Sequence, residues 1–361
     1  MNESDLICRL IVSSYFEADA CRVLSKKLGA VQDWNALLRK LEDHGLASLA
    51  CNRIRESRLT VDDAAHKVLR GLEVRDRHHW NHLRRAVCDV GKALSEINVE
   101  FACLKGIAFA NSIYPAPHLR PMDDLDILIA RRDIEKAQHA LNAIGFANTA
   151  AYTGHLRHHH HLPPLIRKQG AIEVMVELHT QGVSRDYSTN ITLDALSTPM
   201  FYFEIDGVRF NSLGHLDHLR LLCRHAFGRR AEVRLLGVMD ILQYSDRYFE
   251  EIDWKLIQRV HPFIINTLRC LYPLTGIPER LREIAPEGEK KLKNVGKGMV
   301  PLTQIMSQTK GLPEKLKQLF IPSDWWTHIF YNIPPERSLN NARLIYHPLC
   351  LLRWAIFRSG A

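Results

Sequence analysis

Asp124 and Asp126 stand two positions apart in the stretch DLDILI at 124–129. Successive side chains of a strand point to opposite faces, so two aspartates at this spacing project to the same side. Leu125, Ile127 and Ile129 then turn to the other side, toward a core. Two carboxylates held together repel each other, and a divalent cation is the usual remedy. Upstream lies Lys105-Gly106, where a glycine permits a tight turn and a close approach of backbone to ligand. The competing reading of the aspartates, taken alone, is the polar face of an exposed strand with no ion.

The elements that must position these residues follow from pattern. Residues 99–104 alternate large and small apolar side chains and predict a strand. A short helix is expected over 107–114, ended by Pro115 and Pro117. After the acidic strand, 132–144 places Ile134, Ala137, Leu141 and Ile144 on one helical face, and Gly145 stops it. Residues 146–152 add a candidate strand, followed by a loop carrying His155 and the histidines at 158–161. Over 171–179 Val174, Val176 and Leu178 share one face, and Glu173, Met175, Glu177 and His179 the other. A strand with one apolar and one largely polar face suits the wall of a cleft. A hairpin is predicted over 201–210, turning at Asp206-Gly207.

The flanks read as helical. DWNALLRKLEDHG predicts a helix capped by Asp33 and ended by Gly45, and a long helix is expected over 62–97. Beyond 212, with Ser212 a candidate cap, helices are expected over 232–248 and from Asp253-Trp254 onward. The segment 342–358 mixes Leu, Ile, Trp and Phe with basic side chains. It suits docking on the protein's own helices or, as an alternative, a membrane surface. The resulting architecture is α+β: a small mixed sheet core at 98–211 between helical regions at 1–97 and 212–361.

A strand, a glycine turn and a second strand reading Asp-x-Asp resemble the nucleotidyltransferase fold of the DNA polymerase β type. LKG at 104–106, Tyr114-Pro115 and RPMDDLDILI at 120–129 are similar to the uncharacterised bacterial nucleotidyltransferase family five. The likeness continues through HHLPPL at 160–165, VELH at 176–179, and a later helical segment with His225, Arg234 and Asp240. It implies metal-dependent nucleotidyl transfer from an NTP, with Mg²⁺ or Mn²⁺, to a hydroxyl of an acceptor: small molecule, protein or RNA. Such transfer asks the protein for positioning and for charge neutralisation. In the two-metal arrangement the ions sit about 3.5–4 Å apart. Asp124 and Asp126 are the expected metal ligands. Glu177 is the third, because VELH falls where the family's later acidic residue does; Glu173 is its runner-up. Lys105 and Gly106 are the expected triphosphate contacts, through the ammonium and the N–H groups opening the next helix. Arg120 is a further anion ligand. Ile107 replaces the usual second glycine or serine, so that hydroxyl is missing. His179 could orient Glu177, and the histidine loop could join a zinc site.

The bulk numbers set limits. The 361 residues carry a formal net charge of +8, with 46% apolar and 24% charged residues, as in an ordinary folded chain. The positive excess points to anionic partners, yet no basic run resembles a nucleic-acid tail. Eight cysteines without a Cys-x-x-Cys pair, a polar opening MNESDL and no apolar run near 20 residues make the cytoplasm the expected compartment. Two other readings stay open: a nucleotide-binding module without turnover, and an RNA-directed enzyme or RNA-binding protein.

Overall fold

In a computed structural model, which describes residues 2–149, 160–170, 172–182, 190–228 and 230–358, the chain divides into two compact units. One comprises residues 45–221; the other joins 1–44 to 222–361. Among the described residues the first unit is built on a mixed seven-stranded sheet, and the expected α+β class holds. Its strands are β1 (Phe101–Cys103), β2 (Asp124–Ile129), β3 (Ala147–Asn148), β4 (Leu165–Gln169), β5 (Ile172–His179), β6 (Phe201–Ile205) and β7 (Val208–Ser212). Their order is β3-β4-β5-β2-β1-β7-β6. The acidic strand β2 therefore lies inside the sheet, antiparallel to β1 and parallel to β5.

An interior strand loses water on both faces, and β2 is buried from Leu125 to Ile129. Strict alternation describes only its beginning. Leu128 shares a face with Asp124 and Asp126, yet it packs in a cluster with Ala102, Leu104, Ala130, Ile191 and Leu213. That face is thus polar at one end and apolar at the other. The long helix Asp63–Glu96 begins where Asp62 accepts from the Ala65 N–H at 2.9 Å. It comes close enough to β7 that a Cβ on Gly91 would lie 2.7 Å from the Phe210 ring. The hairpin β6–β7 turns at Asp206 and Gly207, with φ of 51° and 75°, the left-handed pair a two-residue turn demands.

Two expectations need correction. Ser212 is no helix cap: it ends β7, pairs with Cys103, and its hydroxyl donates to the Cys103 carbonyl at 3.1 Å. The following helix is His215–His225, and there the Gly214 carbonyl receives the His218 N–H. The strand expected over 146–152 shrinks to Ala147–Asn148; residues 150–152 lie outside the described residues.

The second unit is helical. Trp34–His44 and Trp254–Val260 each start behind an aspartate, Asp33 and Asp253, that accepts an N–H two to three residues into the helix at 2.9 Å. Its core includes two fully buried indoles. Trp325 donates to the Cys270 carbonyl at 2.6 Å and Trp326 to the Phe227 carbonyl at 2.9 Å, so neither N–H is lost to burial.

Candidate functional site

The site forms where β2 and β5 run side by side. Their register pairs Asp124 with Met175, Asp126 with Glu177 and Leu128 with His179. Paired residues of neighbouring strands face the same way, so Asp124, Asp126, Glu177 and His179 share one face. Asp126 and His179 are buried and Glu177 is half-buried. A carboxylate oxygen of Asp126, one of Glu177 and a ring nitrogen of His179 all lie within 4.8 Å of one another. That spacing fits a single divalent ion with mixed oxygen and nitrogen donors.

The charges are balanced by the chain's own cations. His179 Nε2 lies 2.7 Å from Asp126 Oδ1 and 3.3 Å from Glu177 Oε2. Lys105 Nζ lies 3.1 Å from the other oxygen, Asp126 Oδ2. Burial pulls the His179 pKa down, but its bonds to Asp126 and Glu177 outweigh that and hold it above the ordinary value. The same bond, against burial, lowers Glu177. Asp124 goes the opposite way: burial first, then the neighbouring Asp126 charge, push it up to about 6. His179 Nδ1 is buried and has no hydrogen-bond partner among the described residues.

Two of the five loop histidines wall the site. The His160 carbonyl accepts the Thr180 N–H at 2.8 Å, and the Leu162 N–H donates to Leu178 at 2.9 Å, tying the loop to the end of β5. The His160 and His161 rings lie 5.4 Å and 5.1 Å from that of His179. Burial, reinforced by the other two rings, pushes His160 down to about 3, so it is neutral. His155, His158 and His159 lie outside the described residues.

Lys105, Gly106 and Arg120 also come together. Lys105 opens the helix Lys105–Ser112, and the Leu104 N–H before it donates to the Asp126 carbonyl at 2.9 Å. The left-handed residue of this turn is Lys105, with φ of 42°, and not the glycine. Gly106 is needed for space: a Cβ there would lie 2.8 Å from Arg120 Nη1 and 3.3 Å from Met122. Arg120 also sits over the Phe109 ring, 5.8 Å from its centroid. Ile107 is buried, so the position after the glycine packs the core. Glu173, more than half exposed, faces Lys168 at 3.5 Å, and its strand partner is Lys168, beyond the stretch paired with β2.

His179, which the sequence points to as orienting Glu177, stands nearer to Asp126. Its spacing of two from Glu177 was the available signal. His225, Arg234 and Asp240 belong to the helical unit, where Asp240 is buried in the helix Leu235–Arg247. That unit has its own convergent group, Asp5, His44 and Glu232. There Lys40 Nζ lies 2.6 Å from Glu232 and 3.2 Å from Asp5, so an ammonium already takes the place a metal would fill.

A crystal structure of an antigenic nucleotidyltransferase-like protein from Paracoccidioides brasiliensis is similar at 17% identity over 56% of this chain and 97% of that one, with a TM-score of 0.33. No curated protein matches. The family described as uncharacterised nucleotidyltransferase matches residues 30–268. Since that match spans well over half its length, the chain belongs to this nucleotidyltransferase family.

Proposed function

We propose that the protein transfers a nucleoside monophosphate from an NTP to a hydroxyl of an acceptor, with Mg²⁺ or Mn²⁺ held by Asp124, Asp126 and Glu177. The observation that carries this reading is the register of β2 and β5, which sets Asp126 beside Glu177 with Asp124 one step along the same face. The donor set fits a divalent ion: the carboxylates of Asp126 and Glu177 converge beside His179, and Lys105 and His179 offset their charge. When bound, the ions supply neutralisation of charge on the transferring group. The acceptor oxygen bonds to the α-phosphorus, the bond to the bridging oxygen breaks, pyrophosphate leaves, and the acceptor's proton passes to solvent.

The chain's residues divide the remaining work. Asp126 is the central ligand, and His179 fixes its orientation together with that of Glu177. Arg120, held against Gly106, presents a guanidinium to phosphate oxygens at the start of the helix Lys105–Ser112. Lys105 exchanges its contact with Asp126 for the polyphosphate. His160 and His161 close one side of the site. The acceptor is a small molecule, a protein or an RNA.

One observation favours a second reading, nucleotide binding without turnover: the buried Ile107 offers phosphates no hydroxyl. Pyrophosphate release from each of the four NTPs, screened against hydroxyl acceptors of the three classes with Mg²⁺ and with Mn²⁺, separates the two. Turnover that Asp126→Asn abolishes is the expected result. Nucleotide binding with no release under any condition would establish the second reading.

A further inference from the structure

Ten of the fifteen large apolar side chains that stand exposed among the described residues lie between Met306 and Leu352. They are ordered. On the helix Leu312–Phe320, none of whose residues is buried, Leu312, Leu316 and Phe320 follow one another at four-residue spacing. The π-helical turn Ala342–Tyr346 and the helix His347–Arg358 expose Ile345, Leu349 and Leu352, again one helical stripe. The two stripes belong to neighbouring elements. His347, fully buried, donates from Nε2 to the Leu319 carbonyl at 2.8 Å, while its Nδ1 meets the Tyr331 hydroxyl at 2.7 Å. One imidazole thus pins the end of the first helix to the start of the last. Leu344, in the turn between, is 76% exposed. Apolar stripes of this extent on a folded chain mark a contact surface.

Charge indicates what the surface meets. Residues 302–361 hold seven lysines and arginines against three acids, and no acid follows Glu336. Each of the three acids has a basic partner: Glu314 faces Lys317 at 3.7 Å, Asp324 faces Arg343, and Glu336 faces Arg269. Two copies of this face would bring like charge together. A surface rich in anionic headgroups would attract it, and Leu, Ile and Phe beside Lys and Arg is the composition that seats a helix at a bilayer interface. No described helix is long and apolar enough to cross a membrane, so the contact is peripheral. We propose that the segment 306–353 docks on the surface of an anionic lipid bilayer.

Sedimentation of the full chain with vesicles tests this. The vesicles are phosphatidylcholine alone, or phosphatidylcholine with one-third phosphatidylglycerol, each at low and high salt. The expected result is binding to the anionic vesicles, weakened by salt and by neutral composition. The double variant Leu316→Glu with Leu349→Glu should weaken it by about tenfold or more, since two apolar anchors become like-charged with the lipid. Both positions are exposed, and an unchanged melting temperature and circular dichroism confirm that the variant folds. The proposal is overturned if wild type stays in the supernatant with anionic vesicles at low salt, or binds neutral vesicles as well. A dimer in solution that the same double variant splits, without vesicle binding, would instead make the occupant a second copy.

Discussion

Both oxygens of Asp126 are engaged, one by His179 and the other by Lys105, although the side chain is almost wholly buried. A buried carboxylate needs such compensation, because losing hydration costs far more than one hydrogen bond returns. At this scale His179 does two things: it neutralises part of the charge, and it aligns Asp126 with Glu177. Replacing a residue that orients metal ligands typically weakens metal binding by about 10–100-fold. His179→Gln is therefore expected to lower Mn²⁺ affinity in that range by calorimetric titration, whereas Glu173→Gln, on an exposed stretch of the same strand, should leave it unchanged. Mn²⁺ affinity in His179→Gln equal to or above that of wild type would show that net negative charge, and not alignment by His179, sets the affinity. The alternation of Asp124 and Asp126 was legible because period two is a local property of the chain. The pairing of Asp126 with Glu177 came only through the resemblance, because 46 to 53 residues separate Asp126 from β5 and nothing local states which strands become neighbours.

Elements were read well where their boundaries are set by one side chain. Asp33, Asp62 and Asp253 each cap the helix expected behind them, and Asp206-Gly207 turns the hairpin. Ser212 failed as a cap because the parallel pairing of β7 with β1 claims it for the sheet, a tertiary effect that overrides a local preference. The long helix Asp63–Glu96 also carries a buried charge, Glu73, with partners on its own helix and on another. Glu73 accepts from Arg55 at 3.0 Å, from the Cys51 thiol at 3.1 Å and, within its own helix, from Arg77 at 3.1 Å. Burial alone would raise its pKa, but the bonds from Arg55, Cys51 and His118 prevail and bring it from its ordinary 4.5 to about 2. A carboxyl with a lower pKa folded than unfolded stabilises above the unfolded value, and that stability is lost as pH falls toward the folded one. Glu73→Gln should thus be less stable than wild type at pH 6, by on the order of 2 kcal/mol, and urea unfolding should show the gap closing as pH falls through the window from 4.5 to about 2. A gap independent of pH would mean that shape, not charge, is what Gln lacks.

For the whole molecule, the ordered set of sequence words points to the family, because several of them span the turn at 104–106 and the strands β2 and β5. The composition of the helical unit was beyond such reading. It joins residues 1–44 to 222–361, through contacts such as Ser13 with Thr275 at 3.0 Å and Arg9 with the Val295 carbonyl at 2.8 Å. Helical periodicity announces each amphipathic face without saying which distant face will cover it. The same limit explains the stripes between Met306 and Leu352, which look in sequence like faces meant for the protein's own core and stand exposed in the fold. The net charge of +8 suits an anionic substrate and an anionic surface alike.

Everything proposed for the active site depends on the β2–β5 carboxylates holding a divalent ion beneath a polyphosphate. Electron paramagnetic resonance of Mn²⁺, titrated into the 361-residue chain with a non-hydrolysable NTP, reads that directly. Wild type should take up the ion with the nucleotide, and Asp126→Asn should weaken uptake by at least about tenfold while its melting temperature shows a folded protein. Mn²⁺ binding of equal strength in wild type and Asp126→Asn would contradict the assignment.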